Sequence, residues 1–501
     1  MPSNIKKIKR VLVANRGEIA LRVVRACREA GIETVAVYSE VDSQLPNVLE
    51  ADMAVGIGPA IPAESYLNID RLVAAARETR CDAVHPGYGF LSENSVFAQR
   101  CRDAGLIFIG PSQKAIEAVG DKVTARRIMA EAGIPQTRGV EIHGEDWAAI
   151  EKDARGIGFP LMVKASAGGG GKGMRIVHEA AALRSAIEAG RREAKSAFGD
   201  DRVYMETYIE NPRHIEFQVI ADHHGNMVHL FERECSIQRR HQKIVEESPS
   251  LALTPELRRE MGETACRVMA AVDYTNAGTV EFLLDQQGRY YFLEVNARIQ
   301  VEHPVTEMVT GVDLVREQLR IAAGEKLSFT QEDLRQTGHA IECRIYAEDP
   351  ENNFFPATGK LHLFRVPEGP GIRCDAGVSS GLSVSHYYDP ILAKLIVHAG
   401  DRAAAIERMH QALSDFAILG IKSPIPFLKA VIAHPAFARG ELETGFIGRH
   451  FPDWRHQPEP ENLALALLAA SAKSPKRVAA NPEKAAGIPS PWELLGDWQA
   501  L

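Results

Sequence analysis

The chain has 501 residues, a formal net charge of −8, 45% hydrophobic and 25% charged residues, and seven cysteines. Those values exclude a fibrous, disulfide-stapled or wholly disordered chain and leave room for about two to four domains. The mild acidity argues against a general nucleic-acid or membrane partner, so an anionic substrate must be gathered by local basic clusters against the overall sign.

Residues 8–15, IKRVLVAN, predict a buried strand, residues 17–30 a helix ending at Gly31, and residues 33–39 a second strand. Such a βαβ unit implies a parallel sheet. Strand–loop signals at 81–89 and 106–112 extend it into a doubly wound α/β unit. No G-x-G-x-x-G fingerprint follows the first strand, where NRGEIA stands, which argues against a nicotinamide cofactor. Residues 115–133 then predict a helix, followed by strands and a glycine run at 168–171. The stretch 203–233 is β-rich, 256–271 predicts a helix, and two strands flank a turn at 285–288. A third mixed region begins after Gly338 and runs to about 450, with helices at 401–416 and 424–433. Residues 461–472 predict a short helix, before a linker and an apolar end, WELLGDWQAL.

The cysteines are scattered, with no C-x-x-C, which fits neither a zinc ribbon nor a disulfide framework and suits a reducing, cytoplasmic setting. The basic N-terminus runs straight into a strand with no apolar h-region, so no signal peptide is expected. No apolar run approaches the ~20 residues that span a bilayer.

Four constellations carry chemistry. In the hairpin VEFLLDQQGRYYFLEVN (280–296), symmetric pairing about Gln287–Gly288 sets Gln286 against Arg289 and Glu281 against Glu294, with Asn296 on the same face. Facing carboxylates repel, and a hard divalent cation removes that cost. A solvated hairpin face fits poorly, because both glutamates sit in apolar runs. Just downstream, an extended 297–302 would put Arg298, Gln300 and Glu302 on one ridge and Ile299 and Val301 on the other. A guanidinium, an amide and a carboxylate together suit a planar oxyanion that must also lose a proton; the alternative is an edge strand with a polar face. The run KASAGGGGKGM (164–174) allows close backbone approach to phosphate and, beside Lys164, reads as a lid over a nucleotide rather than a Walker A loop. Finally, Arg233, Arg239, Arg240 and Lys243 make 233–250 basic without the interleaved aromatics of an RNA-binding patch, so a phosphate or bicarbonate pocket or a solvated loop remains. His214 and His241 have no His/Cys cluster near them, and no zinc is expected.

Together the runs VLVANRGEIALRVVRAC, HPGYGFLSEN, GDKVTAR, KASAGGGGKGMRIV, ENPRHIEFQV, RECSIQRRHQK, EVNARIQVEHPVTE and GHAIECRIYAEDP closely resemble biotin carboxylase, of the ATP-grasp superfamily, over about residues 5–450. The resemblance implies a mixed α/β and α+β fold: an N-terminal Rossmann-like domain (1–115), an ATP-grasp domain (116–335) with a mobile glycine-rich lid at about 137–205, a biotin carboxylase C-terminal domain (336–450), and a tail (451–501). It implies MgATP-dependent carboxylation of biotin by bicarbonate through carboxyphosphate, the first half-reaction of an acyl-CoA or pyruvate carboxylase, with Mg²⁺ or Mn²⁺ as metal.

Residue by residue, Lys122, Lys164, Glu206, Thr207, Tyr208, Ile209, His214 and His241 match nucleotide-binding positions, with Gly170 and Gly171 as lid contacts to phosphate. Glu281, Glu294 and Asn296 match metal ligands, the two glutamates also counting toward the ATP site. Lys243, Arg298, Gln300, Val301 and Glu302 match the bicarbonate site, and Arg344 and Tyr88 the biotin site. Arg298, Glu302, Lys243 and Arg344 are the implied catalytic residues. Thr207 departs from many relatives, which carry lysine there, while Tyr346 and YYDP at 387–390 look more like acyl-CoA or pyruvate carboxylase subunits.

No lysine lies between two methionines, the biotin attachment signal, so a separate carrier protein and a separate carboxyltransferase are expected, with a homodimer as the family expectation. The tail would dock onto that complex. A carbamoyl-phosphate-type ligase is the competing enzyme reading, disfavoured by the Arg298–Glu302 run and residues 339–346. A catalytically silent ATP-binding protein would have lost Lys243, Arg298 or Glu302, and none is lost.

Overall fold

A computed structural model describes residues 6–166 and 174–457. The glycine run at 168–171, with Gly170 and Gly171, and the predicted elements beyond 457 lie outside the described residues. The first strands are β1 (Arg10–Val13), β2 (Glu33–Ser39), β3 (Met53–Gly58), β4 (Ala83–His85) and β5 (Ile107–Phe108), joined in the order β3-β2-β1-β4-β5. Every pairing is parallel. Helices cover both faces, which is why β1 reads as an unbroken apolar run with Val11, Leu12 and Val13 all buried.

The helix expected over 115–133 is two helices, Gln113–Gly120 and Lys122–Glu131. Asp121 divides them: its backbone is extended, and its carboxylate caps the second helix by accepting from the Thr124 N–H at 2.8 Å. Breaking the helix there sets Lys122 at the start of a new one.

A small antiparallel sheet follows, of β6 (Gly139–Glu141), β7 (Leu161–Ala165), β8 (Arg175–Val177) and β9 (Val203–Thr207) in the order β6-β9-β7-β8. Helices Trp147–Ile157 and Ala180–Phe198 pack on it around a separate core that includes Ile150, Leu161, Val163, Leu183, Ile187 and Val203.

The largest sheet has eight antiparallel strands: β10 (Arg213–Ala221), β11 (Met227–Arg239), β12 (Gln242–Ser248), β13 (Asn276–Leu284), β14 (Tyr290–Asn296), β15 (His339–Tyr346) and the two later strands Ile372–Ala376 and Ile391–Ala399. The hairpin β13–β14 forms one end, and β15 pairs directly with β12 and with Ile391–Ala399. The metal-type hairpin and the strand of Arg344 are thus parts of one sheet, although some fifty residues separate them.

Aromatic rings tie the site end of this sheet to its core. Phe282 is fully buried, with its ring edge-on to Phe217 at 6.3 Å and to Tyr290 at 5.6 Å. Phe282→Ala is expected to lower the unfolding free energy by about 3–5 kcal/mol, read from denaturant titration.

Candidate active site

Cross-strand pairing sets Glu294 opposite Glu281, Glu281 opposite Glu216, and Glu216 opposite Arg233. Four charged side chains therefore stand in one row across β14, β13, β10 and β11.

The hairpin reaches this register by a route different from the symmetric one expected. Its tip closes one residue off, with the Asp285 N–H donating to the Arg289 carbonyl and Phe282 paired with Phe292. Continued unchanged, that register would set Glu281 against Leu293. A bulge absorbs Leu293 and returns Glu281 to Glu294 and Thr279 to Asn296. The reason is visible in the core: Phe292 and Val295 both face it, and an odd spacing cannot keep two side chains on one face of a regular strand.

Lys243, on β12, enters this row from the side. Its ammonium donates to Glu216 Oε2 at 2.5 Å, Glu281 Oε1 at 2.8 Å and Glu302 Oε1 at 2.7 Å. Arg233 neutralises Glu216 from the other side and is fully buried. Its guanidinium donates to Glu216, Gln218, Thr306, Thr279 and Gln300, which uses its whole complement of N–H groups. Arg233 is thus internal scaffolding and lines no phosphate pocket. Arg239 likewise turns inward, over the Phe354 ring at 4.2 Å and onto Glu348. Of the basic segment, only Lys243 serves the central cluster. The tip of its hairpin, Arg240–His241, carries positive φ at both residues, a strained conformation for non-glycine side chains.

Residues 297–302 are not the extended strand expected. They form a bent loop that leads into the helix His303–Thr310, with Glu302 at its N-cap position. The three polar side chains still converge, each drawn by its own partner. Arg298 donates to Glu93 at 2.9 Å and to Asn296 Oδ1 at 2.7 Å. Gln300 donates to Glu281 at 2.9 Å while its oxygen accepts from Arg233. Glu302 makes no capping bond; one oxygen accepts from Lys243 and the other from Arg344 at 3.0 Å. The Val301 side chain takes no part, but its carbonyl accepts from Lys394 at 3.1 Å.

A second polar group lies on the small sheet. Glu206 receives the buried Lys164, Arg126 at 2.9 Å and the Thr137 hydroxyl at 2.8 Å. These cations hold its carboxyl below the usual range, against burial. Thr207 and Tyr208 are half-buried, their N–H groups donating to Arg138 and Pro160, and Ile209 is half-buried beside them. His241 feels Lys164, which together with burial lowers its basicity. Lys122 bridges the two groups, 3.5 Å from Glu294. His214 Nε2 lies 3.0 Å from Glu281, and its Nδ1 faces Gln238 at 2.9 Å. Tyr88 stands apart: its hydroxyl donates to the buried Glu18.

Sequence reasoning missed Glu93, Glu216, Arg233 as scaffolding, and Glu246. Glu246, on β12, receives Arg344 Nε at 2.5 Å and stands directly opposite Glu342 on β15, both wholly buried. For Glu93 the only signal was its place in the run LSEN of the HPGYGFLSEN motif.

Among the described residues, two close sets of potential metal ligands occur, His214–Glu216–Glu281 and Glu216–Cys235–Glu302. Lys243 binds carboxylates of both sets and supplies their cation. The expected set fits a hard divalent ion better, since Glu281 and Glu294 face each other and the Glu294–Lys122 pair is long. Asn296 fits less freely, because its oxygen is engaged by Arg298.

Burial pushes the Glu302 carboxyl up, but Lys243, Arg344 and Arg233 outweigh it and hold it well below the usual glutamate range. Burial dominates at Glu246, which is pushed up to about 7 despite Arg344. An acid raised above its unfolded value of about 4.3 costs stability as pH rises through that interval. Between about pH 5 and pH 8 the melting temperature of Glu246→Gln should therefore fall less than that of the parent chain, and an equal fall would assign the titration to another group.

Comparison with known proteins follows this geometry closely. Residues 7–116 match the family described as biotin carboxylase, N-terminal domain, and residues 342–449 the biotin carboxylase C-terminal domain. Between them, residues 121–330 match the carbamoyl-phosphate synthase L chain, ATP binding domain. The chain is 51% identical to the biotin carboxylase of a Nostoc species over 88% of its own length and 99% of that protein. It is 50% identical to biotin carboxylase 2 of Bacillus subtilis, covering 88% of this chain and 99% of that one. It is 49% identical to the propionyl-CoA carboxylase alpha chain of Ruegeria pomeroyi, covering 94% of this chain and 72% of that longer one. Among solved structures, the biotin carboxylase domain dimer of Hydrogenobacter thermophilus 2-oxoglutarate carboxylase, in complex with MgADP, ADP and bicarbonate, superposes with a TM-score of 0.87 at 47% identity, covering 90% of this chain and all of that one. The central match alone would suit a carbamoyl-phosphate-type ligase; the two flanking matches exclude that reading.

Proposed function

The chain belongs to the biotin carboxylase family, ATP-dependent ligases that carboxylate biotin, and from that premise we propose how its own side chains divide the reaction. The division into 1–115, 116–335 with a lid at about 137–205, 336–450 and a tail at 451–501 is kept, supported by the three family matches.

Lys164, Glu206, Thr207, Tyr208, Ile209, His241 and His214 take the nucleotide, and Lys122, Gly170 and Gly171 its phosphates. The rigid Lys164–Glu206 pair gives the base end a fixed wall. Glu281 and Glu294, with Asn296 once Arg298 releases it, would hold Mg²⁺ or Mn²⁺, which offsets phosphate charge when bound.

The observation that carries the reading is the double clamp on Glu302. While Lys243 and Arg344 both hold it, Glu302 is a weak base. Bicarbonate, an anion, competes for Lys243 and Arg298. As Lys243 turns to the substrate, Glu302 loses a compensating charge and becomes more basic. Glu302 then takes the bicarbonate proton while the bicarbonate oxygen attacks the γ-phosphorus of ATP and ADP leaves. Gln300 and Val301 shape the pocket. The resulting carboxyphosphate breaks its C–O bond to give CO₂ and phosphate. Phosphate takes the ureido proton of biotin, and the nitrogen attacks CO₂ to form the new C–N bond. Arg344, with Arg298, stabilises the ureido anion as an oxyanion hole does. Tyr88 borders the biotin side through its ring and loop.

Biotin arrives on a separate carrier protein, and a separate carboxyltransferase passes the carboxyl group to an acyl-CoA or to pyruvate. The absence of a lysine between two methionines supports this. Homodimerisation is supported by the solved dimer of the Hydrogenobacter domain. The tail, outside the described residues, docks onto the partners. A cytoplasmic site is supported by seven free cysteines, and no helix among the described residues is long and apolar enough to cross a membrane.

The test is ATP cleavage with bicarbonate, with and without free biotin. Biotin should stimulate it, and indifference to biotin would overturn the reading. Glu302→Gln should lower the rate by about 100-fold or more; full rate in that variant would refute the role of Glu302.

A further inference from the structure

Lys394 lies in the strand Ile391–Ala399, opposite Arg344 in the ladder, and is completely buried. Its ammonium lies 3.0 Å from Glu18 Oε2 and 3.8 Å from Asp375 Oδ2. It donates to the Val301 carbonyl at 3.1 Å and sits 6.0 Å from the centre of the Tyr88 ring. Glu18 in turn accepts the Tyr88 hydroxyl. One cation therefore joins three distant parts of the chain: the helix Gly17–Glu29, the loop after β4, and the loop before the helix His303–Thr310.

Burying an ammonium costs hydration and rotamer freedom, and an apolar residue of similar length would fill the space at less cost. The ion pairs offset the charge, but they do not require the bond to Val301. That bond has a geometric effect. Val301 stands between Gln300 and Glu302, so fixing its carbonyl fixes the turn that aims both side chains. Through Glu18 the same ammonium fixes the orientation of Tyr88.

We propose that Lys394 is a positioning residue that holds the bicarbonate-binding run and the biotin-side loop at one separation, so that CO₂ is released where the ureido nitrogen waits. The proposal rests on the assignment of those two segments to bicarbonate and biotin. Lys394 touches neither substrate and acts through Val301 and the Glu18–Tyr88 pair.

The experiment uses the full chain with ATP, bicarbonate and free biotin, measuring kcat, each KM and the melting temperature. Lys394→Met leaves Glu18 without its cation and should melt earlier. Lys394→Met with Glu18→Gln removes both charges and should recover stability without restoring the bond to Val301. In that double variant KM for bicarbonate and for biotin should rise about tenfold or more, with KM for ATP within about twofold of the parent. Lys394→Arg, which keeps a charge and a donor, should return both values toward the parent. Glu18→Gln alone keeps the bond to Val301 but loosens Tyr88, so it should raise the biotin KM and spare bicarbonate. A purely structural role would move the melting temperature and leave the KM values in place. That result, an equal rise in all three KM values, or an unchanged biotin KM in Glu18→Gln would each overturn the proposal. A parent chain whose ATP cleavage ignores biotin would instead overturn the functional reading, and this inference with it.

Discussion

Three buried carboxylates can share one ammonium only while something stronger than their mutual repulsion holds them in place. The eight-stranded sheet supplies that force around Lys243. Backbone pairing fixes Glu216 and Glu281 on adjacent strands, Arg233 ties Glu216 to Gln218, Thr279, Thr306 and Gln300, and Arg344 takes the far oxygen of Glu302. None of these groups can turn alone without leaving a buried charge unmatched. The floor of the cleft is therefore preorganised, and substrates meet fixed charges rather than solvated, wandering ones.

That arrangement also resolves the sign problem posed by an acidic chain. Lys122, Lys164, Lys243, Arg298 and Arg344 each face an internal carboxylate: Glu294, Glu206, the Glu216–Glu281–Glu302 group, Glu93 and Glu246. Internal carboxylates thus act as stand-ins for substrate anions. Binding becomes an exchange of partners, which avoids stripping naked cations of water and explains how ATP and bicarbonate can be held by a protein of net charge −8.

Much of this is legible in the residue pattern alone. The alternation in VEFLLDQQGRYYFLEVN sets Glu281 against Glu294, and the structure agrees, yet for a reason the pattern hides. The tip register and the bulge at Leu293 shift the ladder in opposite senses and cancel at the glutamates. A period-two reading sees only the sum. The run 298–302 reveals which residue types meet, but its shape depends on partners more than two hundred residues earlier, such as Glu93, or well beyond it, such as Lys394. Arg233 misleads because local charge density carries no information about burial. Glu216 and Glu246 stay hidden within β-rich runs, because a buried carboxylate is recognisable only once its cation is located across the sheet. The βαβ order of the first hundred residues is plain, since parallel strands buried on both faces announce themselves as continuous apolar runs.

The single sheet that joins the hairpin 276–296 to the strands 339–346 and 391–399 bears on how the chain becomes an enzyme. Glu216, Lys243, Glu281 and Glu302 are all present once about three-fifths of the polypeptide has left the ribosome. Arg344 and Lys394 arrive later. Until those strands add to the edge at β12, Glu302 has only Lys243 to answer its charge, and the Val301 carbonyl has no donor. The nascent cleft therefore carries an uncompensated acid at its centre, which opposes its early closure. Active geometry is a late event in biogenesis, imposed by the last strands to join, and a chain that has not yet made them cannot cleave ATP prematurely.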